Sequence, residues 1–277
     1  MKYCRFQPLE FPAKDLARDS REVHPRPRTG IVENADVWEI PGESWEQKRE
    51  KRTGNKWPLS EVKLLPPSTP SKIVCVGRNY LEHAKEFGNN TPKEPLIFLK
   101  PPSAIIAAEE PVILPPISRR VDFEGELGVV MGRRCRCLGP DDDVAPYIAG
   151  YTCLNDITAR DLQKRDGQWA RAKGFDTFCP FGPVLETSVD LVHATLETFA
   201  NGIRKQSACF AEMIFSVDAI IRWITQVMTL EPGDVIATGT PAGVGPVAPG
   251  DVVEVSISGV GTLRNRVSEP MLSDPDE

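Results

Sequence analysis

Asp122-Phe123-Glu124-Gly125-Glu126 runs directly into Leu127-Gly128-Val129-Val130-Met131-Gly132. The second half is an apolar run of strand length, so residues 121–132 read as one strand. Side chains in a strand alternate between faces, and residues two apart share one. Asp122, Glu124 and Glu126 then crowd three carboxylates onto a single face, while Phe123 and Leu127 point the other way. With Val129 and Val130 following, the strand enters a core rather than lying along a wet edge. The competing reading is a solvated strand face. Like charges so close repel one another, and burying them unpaired is costly. A divalent metal with oxygen ligands answers both problems.

Around this stretch the chain is built from short strands broken by Gly and Pro. Strands are expected at 72–77, 96–100, 111–114, 147–154, 192–203 with a turn at Asn201-Gly202, 235–238 and 251–257. Helices are expected from Tyr80 to Phe87, closed by Gly88-Asn89-Asn90, from about Asp156 to Gln163, and from Phe215 to Met228. The last has apolar residues at 217, 220, 221, 224, 227 and 228, a helical period. This is a β-rich α+β pattern, not alternating βαβ units. Residues 1–65 read as a small N-terminal domain or arm, with a charge-rich segment from Glu43 to Lys56. A stiff connector, Leu64-Leu65-Pro66-Pro67-Ser68-Thr69-Pro70, leads into a main domain over 70–272. The tail from Ser273 to Glu277 is polar and is expected to fray.

The chain has 277 residues, 40% hydrophobic and 26% charged, as expected of a soluble globular protein. Its 33 basic and 39 acidic residues give a net charge of −6, which argues against a nucleic-acid binder. No apolar run reaches membrane-spanning length, and no apolar h-region follows Met1–Phe6, so no membrane partner and no signal peptide are expected. Seven cysteines include no CxxC pair, only Cys135-Arg136-Cys137, so reduced thiols in a cytoplasmic protein are the expectation. Only His24, His83 and His193 are available, which disfavours a multi-histidine zinc site.

Four further stretches carry chemistry. In Asn155-Asp156-Ile157-Thr158-Ala159-Arg160-Asp161-Leu162-Gln163, a helix starting at Asp156 would put Asp156, Arg160 and Gln163 on one face. Asp156 is then a third carboxylate ligand, with Arg160 and Gln163 beside it for an anionic substrate. An N-cap aspartate on a solvated helix is the plainer alternative. In Gly77-Arg78-Asn79-Tyr80-Leu81-Glu82-His83-Ala84-Lys85-Glu86, His83 and Glu86 are three apart on a helix, so a carboxylate can fix an imidazole as a general base. A lone helix histidine is more often an ordinary surface or core residue. Lys173-Gly174 is weak by itself. Thr238-Gly239-Thr240-Pro241-Ala242-Gly243 lacks the spacing of a nucleotide loop and suits backbone approach to a small carboxylate.

Taken in order, these pieces resemble the fumarylacetoacetate hydrolase family. The matching stretches are Gly77-Arg78-Asn79-Tyr80 with His83 and Glu86, Phe98-Leu99-Lys100-Pro101, Glu124-Gly125-Glu126-Leu127, Asp156–Asp161 with Gln163, Lys173-Gly174 and Gly239-Thr240-Pro241. They cover roughly residues 70–270, and the first 65 residues carry no matching motif. The resemblance implies a mixed β-sandwich roll, and a Mg²⁺ or Mn²⁺ ion held by Glu124, Glu126 and Asp156, with Asp122 in a supporting position. It further implies His83, Glu86 and Lys173 as catalytic residues and a homodimer. Arg78, Tyr80, Arg160, Gln163 and Thr240 are the substrate-binding candidates, and the substrate is a small oxo acid. The expected reaction is hydrolysis of a C–C bond in an acylpyruvate-like or fumarylacetoacetate-like compound, through an enolate stabilised by the metal. His83 would activate the water on a segment that closes as a lid. Oxaloacetate decarboxylation and isomerisation of a 2-hydroxyhepta-2,4-diene-1,7-dioate fit the same cradle. A non-catalytic ligand-binding protein is the alternative from another class.

Overall fold

A computed structural model describes residues 1–10, 26–42, 52–86, 88 and 90–270. The expectation for the tail, and most of the charge-rich segment from Glu43 to Lys56, lie outside the described residues. The largest sheet has twelve strands. Its main path runs Lys56–Pro58, Asp36–Ile40, Arg28–Glu33, Lys2–Pro8, Cys179–Glu186, Ile148–Asn155, Gly125–Met131, Val235–Ala237, Ile73–Gly77 and Leu96–Lys100. The N-terminal strands are hydrogen-bonded into this sheet, because Lys2 and Tyr3 pair with Glu186 and Leu185. A five-stranded sheet is ordered Ile203–Cys209, Thr195–Ala200, Val252–Ile257, Gly261–Ser268 and Val112–Ile113.

The two sheets form a sandwich, and alternation along Gly125–Met131 shows why. Leu127, Val129 and Met131 face one way and join a buried cluster with Leu196, Val255, Ile257 and Leu263 of the smaller sheet. Ile220, Ile221 and Ile224 of the helix Val217–Val227 pack into the same cluster. Val130 faces the other way, into a second cluster with Ile73, Cys75, Cys179, Phe181 and Val235. Glu126 shares the parity of Val130, so its side chain emerges at the end of this second face. All seven cysteines are free.

Two sequence expectations are corrected. Residues 121–132 are not one strand: Val121–Phe123 and Gly125–Met131 are separate, with a break at Glu124. Val121–Phe123 belongs instead to a small sheet with Thr158–Ala159 and Gly245–Pro246. Asp122 therefore does not share a strand face with Glu126. Nor does a helix begin at Asp156. Ile157 N–H donates to Phe178 O, Thr158–Ala159 pairs as a strand, and the helix runs Arg160–Asp166. Asp156 and Arg160 reach the same cavity through the turn of the chain, not through helical spacing.

Candidate active site

Break and turn together assemble the acidic cluster. The strand Ile148–Asn155 pairs with Gly125–Met131, placing Gly125 opposite Asn155. Asn155 Oδ1 accepts from Glu124 N at 2.9 Å, and Asp156 N donates to Glu124 O at 2.9 Å. Glu124, Glu126 and Asp156 are all buried, and each offers an oxygen within 4.8 Å of the others. They line a cavity of about 430 Å³ together with His83, Arg160, Gln163, Lys173, Thr240 and Arg78.

Cations surround two of these carboxylates and leave the third. Lys173 Nζ donates to Glu124 Oε2 at 2.8 Å and to Asp156 Oδ2 at 2.5 Å. Lys100 Nζ donates to Asp156 Oδ1 at 2.6 Å and to Ile157 O at 3.1 Å. Arg160 Nη2 donates to Glu124 Oε1, while its Nε donates to Asp122 Oδ2 at 2.9 Å. Glu126 Oε2 accepts from Gly239 N at 2.8 Å, and among the described residues no lysine or arginine forms an ion pair with it.

Burial pushes the Glu124 carboxyl up, but the Lys173 ammonium and Arg160 guanidinium outweigh it and hold Glu124 well below the usual carboxylate range. Burial, then the Asp156 and Glu124 carboxylates, push Glu126 well above that range. Burial works against the Lys173 ammonium, yet Asp156 and Glu124 outweigh it and raise its pKa. A buried carboxylate without a side-chain cation, beside two others in an all-oxygen set, fits a divalent ion such as Mg²⁺ or Mn²⁺. Glu124, Glu126 and Asp156 would hold it. Asp122 sits behind Glu124, reached through Arg160 and also paired with Arg120.

His83 is 7% exposed and lines the cavity from the short helix Leu81–Glu86. Its Nδ1 lies 3.2 Å from Glu86 Oε2, the pairing expected from their spacing. Asn79 anchors this segment: its Nδ2 donates to Thr238 O at 2.8 Å, and its Oδ1 accepts from Phe215 N at 2.8 Å. Arg78 adopts φ 60°, a left-handed conformation that non-glycine residues reach at a cost and that clusters at functional sites. Not every substrate-binding candidate reaches the cavity. Tyr80 is 3% exposed and is not among the lining residues; its backbone bridges to Met213. Glu86 also lies off the cavity wall, behind His83.

The sequence alone shows no role for Lys100. Its signal was the Phe98-Leu99-Lys100-Pro101 match: a lysine at the end of an apolar strand needs a buried anion. Lys164 and Trp169, which also line the cavity, carried no spacing signal. Lys100 is 1% exposed, so Lys100→Met is expected to strip Asp156 of one buried partner and to lower unfolding free energy in urea by about 3 kcal/mol. An unchanged urea midpoint would show that Lys173 alone satisfies Asp156.

Comparison with known proteins gives the family and the fold. The family described as "Fumarylacetoacetate (FAA) hydrolase C-terminal" matches residues 72–268, and "Rv2993c-like, N-terminal" matches 23–67. Oxaloacetate tautomerase Fahd2a, mitochondrial, of Rattus norvegicus is 41% identical over 222 residues, 76% of this chain and 71% of that protein. The crystal structure of 2-hydroxyhepta-2,4-diene-1,7-dioate isomerase from Mycobacterium marinum superposes with TM-score 0.84 at 41% identity, covering 98% of this chain and 100% of that one. Maleylpyruvate hydrolase from Sphingobium sp. SYK-6, in complex with manganese(II) ion and pyruvate, gives TM-score 0.76 at 28% identity over 98% of this chain and 100% of that one. With its cluster, its dyad and its sandwich in place, the chain belongs to the fumarylacetoacetate hydrolase family.

Proposed function

We propose that the protein is a divalent-metal-dependent enzyme that moves a proton at the enolisable carbon of a small 2-oxo acid, with an oxaloacetate-like dicarboxylate as substrate. The observation that carries this reading is a buried three-carboxylate cluster and a carboxylate-oriented histidine opening onto one cavity. The ion, when bound, supplies Lewis acidity toward the oxo acid's oxygens and stabilises enolate charge.

The chain's own residues do the rest. Glu86 accepts from His83 Nδ1–H, which leaves Nε2 as the base. His83 takes the proton from the substrate's C3, the C–H electron pair becomes the enol double bond, the carbonyl π pair moves onto its oxygen, and the same proton is delivered to that oxygen. Lys173 has three ammonium hydrogens, of which two go to Glu124 and Asp156, so one is left for a substrate oxygen. Gln163, held by Arg160 Nη1 at 2.8 Å, presents its amide beside that oxygen.

Charge supports a dianion. Asp122, Glu124 and Asp156 pair with Arg120, Arg160, Lys100 and Lys173, and Glu126, ionised when a metal binds, makes the count four against four. A divalent ion adds two positive charges, and Arg78 and Lys164 line the same cavity. A dicarboxylate neutralises the ion's excess. The names of the rat and Mycobacterium marinum proteins, a tautomerase and an isomerase, lend further support to proton transfer.

Hydrolysis of an acylpyruvate is the second reading. A cavity of about 430 Å³ has room for a water, with a share of about 30 Å³, beside a small oxo acid. His83 would then take its proton from water. A panel of oxaloacetate, acetylpyruvate, fumarylpyruvate and hydroxy-diene acids with Mg²⁺ or Mn²⁺ tests both. Keto–enol interconversion of oxaloacetate is expected to be the fastest metal-dependent change. Faster acylpyruvate cleavage replaces the first reading with the second. No metal-dependent change with any of them sinks both and leaves a binding protein.

A further inference from the structure

Gln206 takes no part in either reading above, yet it ties their two halves together. It lies on Ile203–Cys209 of the five-stranded sheet, not on the large sheet that carries Glu126. It is 1% exposed. Its Oε1 accepts from Gly125 N at 2.9 Å, and its Nε2 donates to Thr240 Oγ1 at 2.7 Å and Pro241 O at 2.8 Å. Thr240 Oγ1 in turn donates to Gly125 O at 2.8 Å. Both backbone polar groups of the one residue between Glu124 and Glu126 are thus held in a closed ring.

Two close approaches lock that ring. A Cβ on Gly125 would sit 2.0 Å from Thr198 Oγ1, so only glycine lets the smaller sheet press against this point. Gly243 lies against the backbone beside Gln206, where a Cβ would be 2.1 Å from Lys205 O. The loop between Gly239 and Gly243 then reaches both halves of the site. Gly239 N donates to Glu126 Oε2 at 2.8 Å, and Gly243 N donates to Glu86 Oε1 at 3.3 Å.

We propose that Gln206 is a positioning residue: by bracing Gly125 against Thr240 it sets the spacing of Glu124 and Glu126, and through the 239–243 loop it holds the carboxylate that orients His83. The proposal rests on the metal reading given above. Its physical basis is that removing the amide orphans the Gly125 N–H and the Pro241 carbonyl in the interior, and both must then move to find partners. Ligand geometry tolerates shifts of only about 0.5 Å. Loss of a partner that orients metal ligands typically costs about 10–100-fold in affinity.

The test is Mn²⁺ titration of the full chain, followed by electron paramagnetic resonance, for wild type, Glu124→Ala, Gln206→Met and Thr198→Val. Thr198 is the matched control, because it touches the same glycine but its buried Oγ1 has no hydrogen-bond partner. Gln206→Met is expected to bind Mn²⁺ about 10–100-fold more weakly than wild type, and Thr198→Val to bind like wild type. The apparent pKa of the base in the pH–rate profile is expected to move in Gln206→Met and not in Thr198→Val. A Gln206→Met affinity within about twofold of wild type, against the usual loss of about tenfold or more, overturns the proposal. Equal weakening in Thr198→Val also overturns it, since packing alone would then be responsible. Wild type binding no more Mn²⁺ than Glu124→Ala would overturn the metal reading itself, whatever Gln206 does. If Gln206→Met does not fold, Gln206→Asn, whose shorter amide cannot span Gly125 and Thr240, is judged by the same criteria.

Discussion

Glu126→Gln is expected to abolish Mn²⁺ binding while leaving the metal-free protein at least as stable as wild type. Glu124→Ala is expected to abolish binding and to destabilise the fold by about 3–5 kcal/mol. The two glutamates differ in what surrounds them. Glu124 is clasped by Lys173 and Arg160, so removing it leaves two cations without their shared anion. Glu126 accepts one backbone hydrogen bond and faces Asp156 and Glu124, which raise its pKa on top of the effect of burial. A neutral amide in its place keeps an acceptor for Gly239 N and removes the repulsion.

The same asymmetry sets a pH dependence. A carboxyl whose folded-state pKa is raised contributes stability that is fully present below its unfolded value, an ordinary carboxylate pKa. That contribution is lost as pH rises through the folded value. With metal removed, wild-type stability should therefore fall as pH climbs above the usual carboxylate range, and Glu126→Gln should lack that decline. Saturating Mn²⁺ holds Glu126 ionised, so the stabilisation it gives should grow with pH, with protons released on binding. Melting temperatures across a pH series, in EDTA and in Mn²⁺, read all of this. Glu126→Gln melting below wild type in EDTA at neutral pH, or still binding Mn²⁺, would overturn the assignment.

The acidic stretch was legible because its chemistry is local. Three carboxylates within five residues demand a positive partner wherever the strand ends. The sequence could not show that Glu124 sits at a break. The break depends on Asn155 Oδ1 capturing Glu124 N and on Gln206 Oε1 capturing Gly125 N, partners 31 and 81 residues away. Asp156, Arg160 and Gln163 were picked out by helical spacing, and the cavity does contain all three, but the helix begins only at Arg160. The helical spacing holds for Arg160 and Gln163, which bond at 2.8 Å, and fails only for Asp156, which motif order identifies instead. The strand Gly261–Ser268 was missed because its buried positions include Asn265, whose amide satisfies Ala107 O and Glu110 O across the fold. Alternation read on hydrophobicity alone breaks at such a residue. The roles of Lys100 and Gln206 are hidden in the sequence for the same reason. A buried polar side chain is defined by its partners, and those partners are remote in sequence.

His83→Ala is expected to lower kcat by about 10²–10⁴-fold while leaving Mn²⁺ affinity near wild type. His83 shares the cavity with the carboxylate cluster, but its Nδ1 bond goes to Glu86 and not to any of the three acids. Its loss should therefore remove a base without disturbing the cradle. Glu86→Gln should give a smaller loss, because the amide still occupies the position beside Nδ1 but no longer stabilises the imidazolium that forms when the proton is taken. The two readings of function separate here. If the reaction is proton transfer at C3, the His83→Ala defect carries a deuterium isotope effect from substrate labelled at that carbon. If the reaction is hydrolysis, the defect appears in cleavage and the label at C3 leaves the rate unchanged. Decarboxylation of oxaloacetate, which needs the Lewis acid but no base, should survive His83→Ala and disappear in Glu126→Gln. A variant that loses Mn²⁺ affinity together with all activity would instead place His83 in the metal cradle and overturn its assignment as the base.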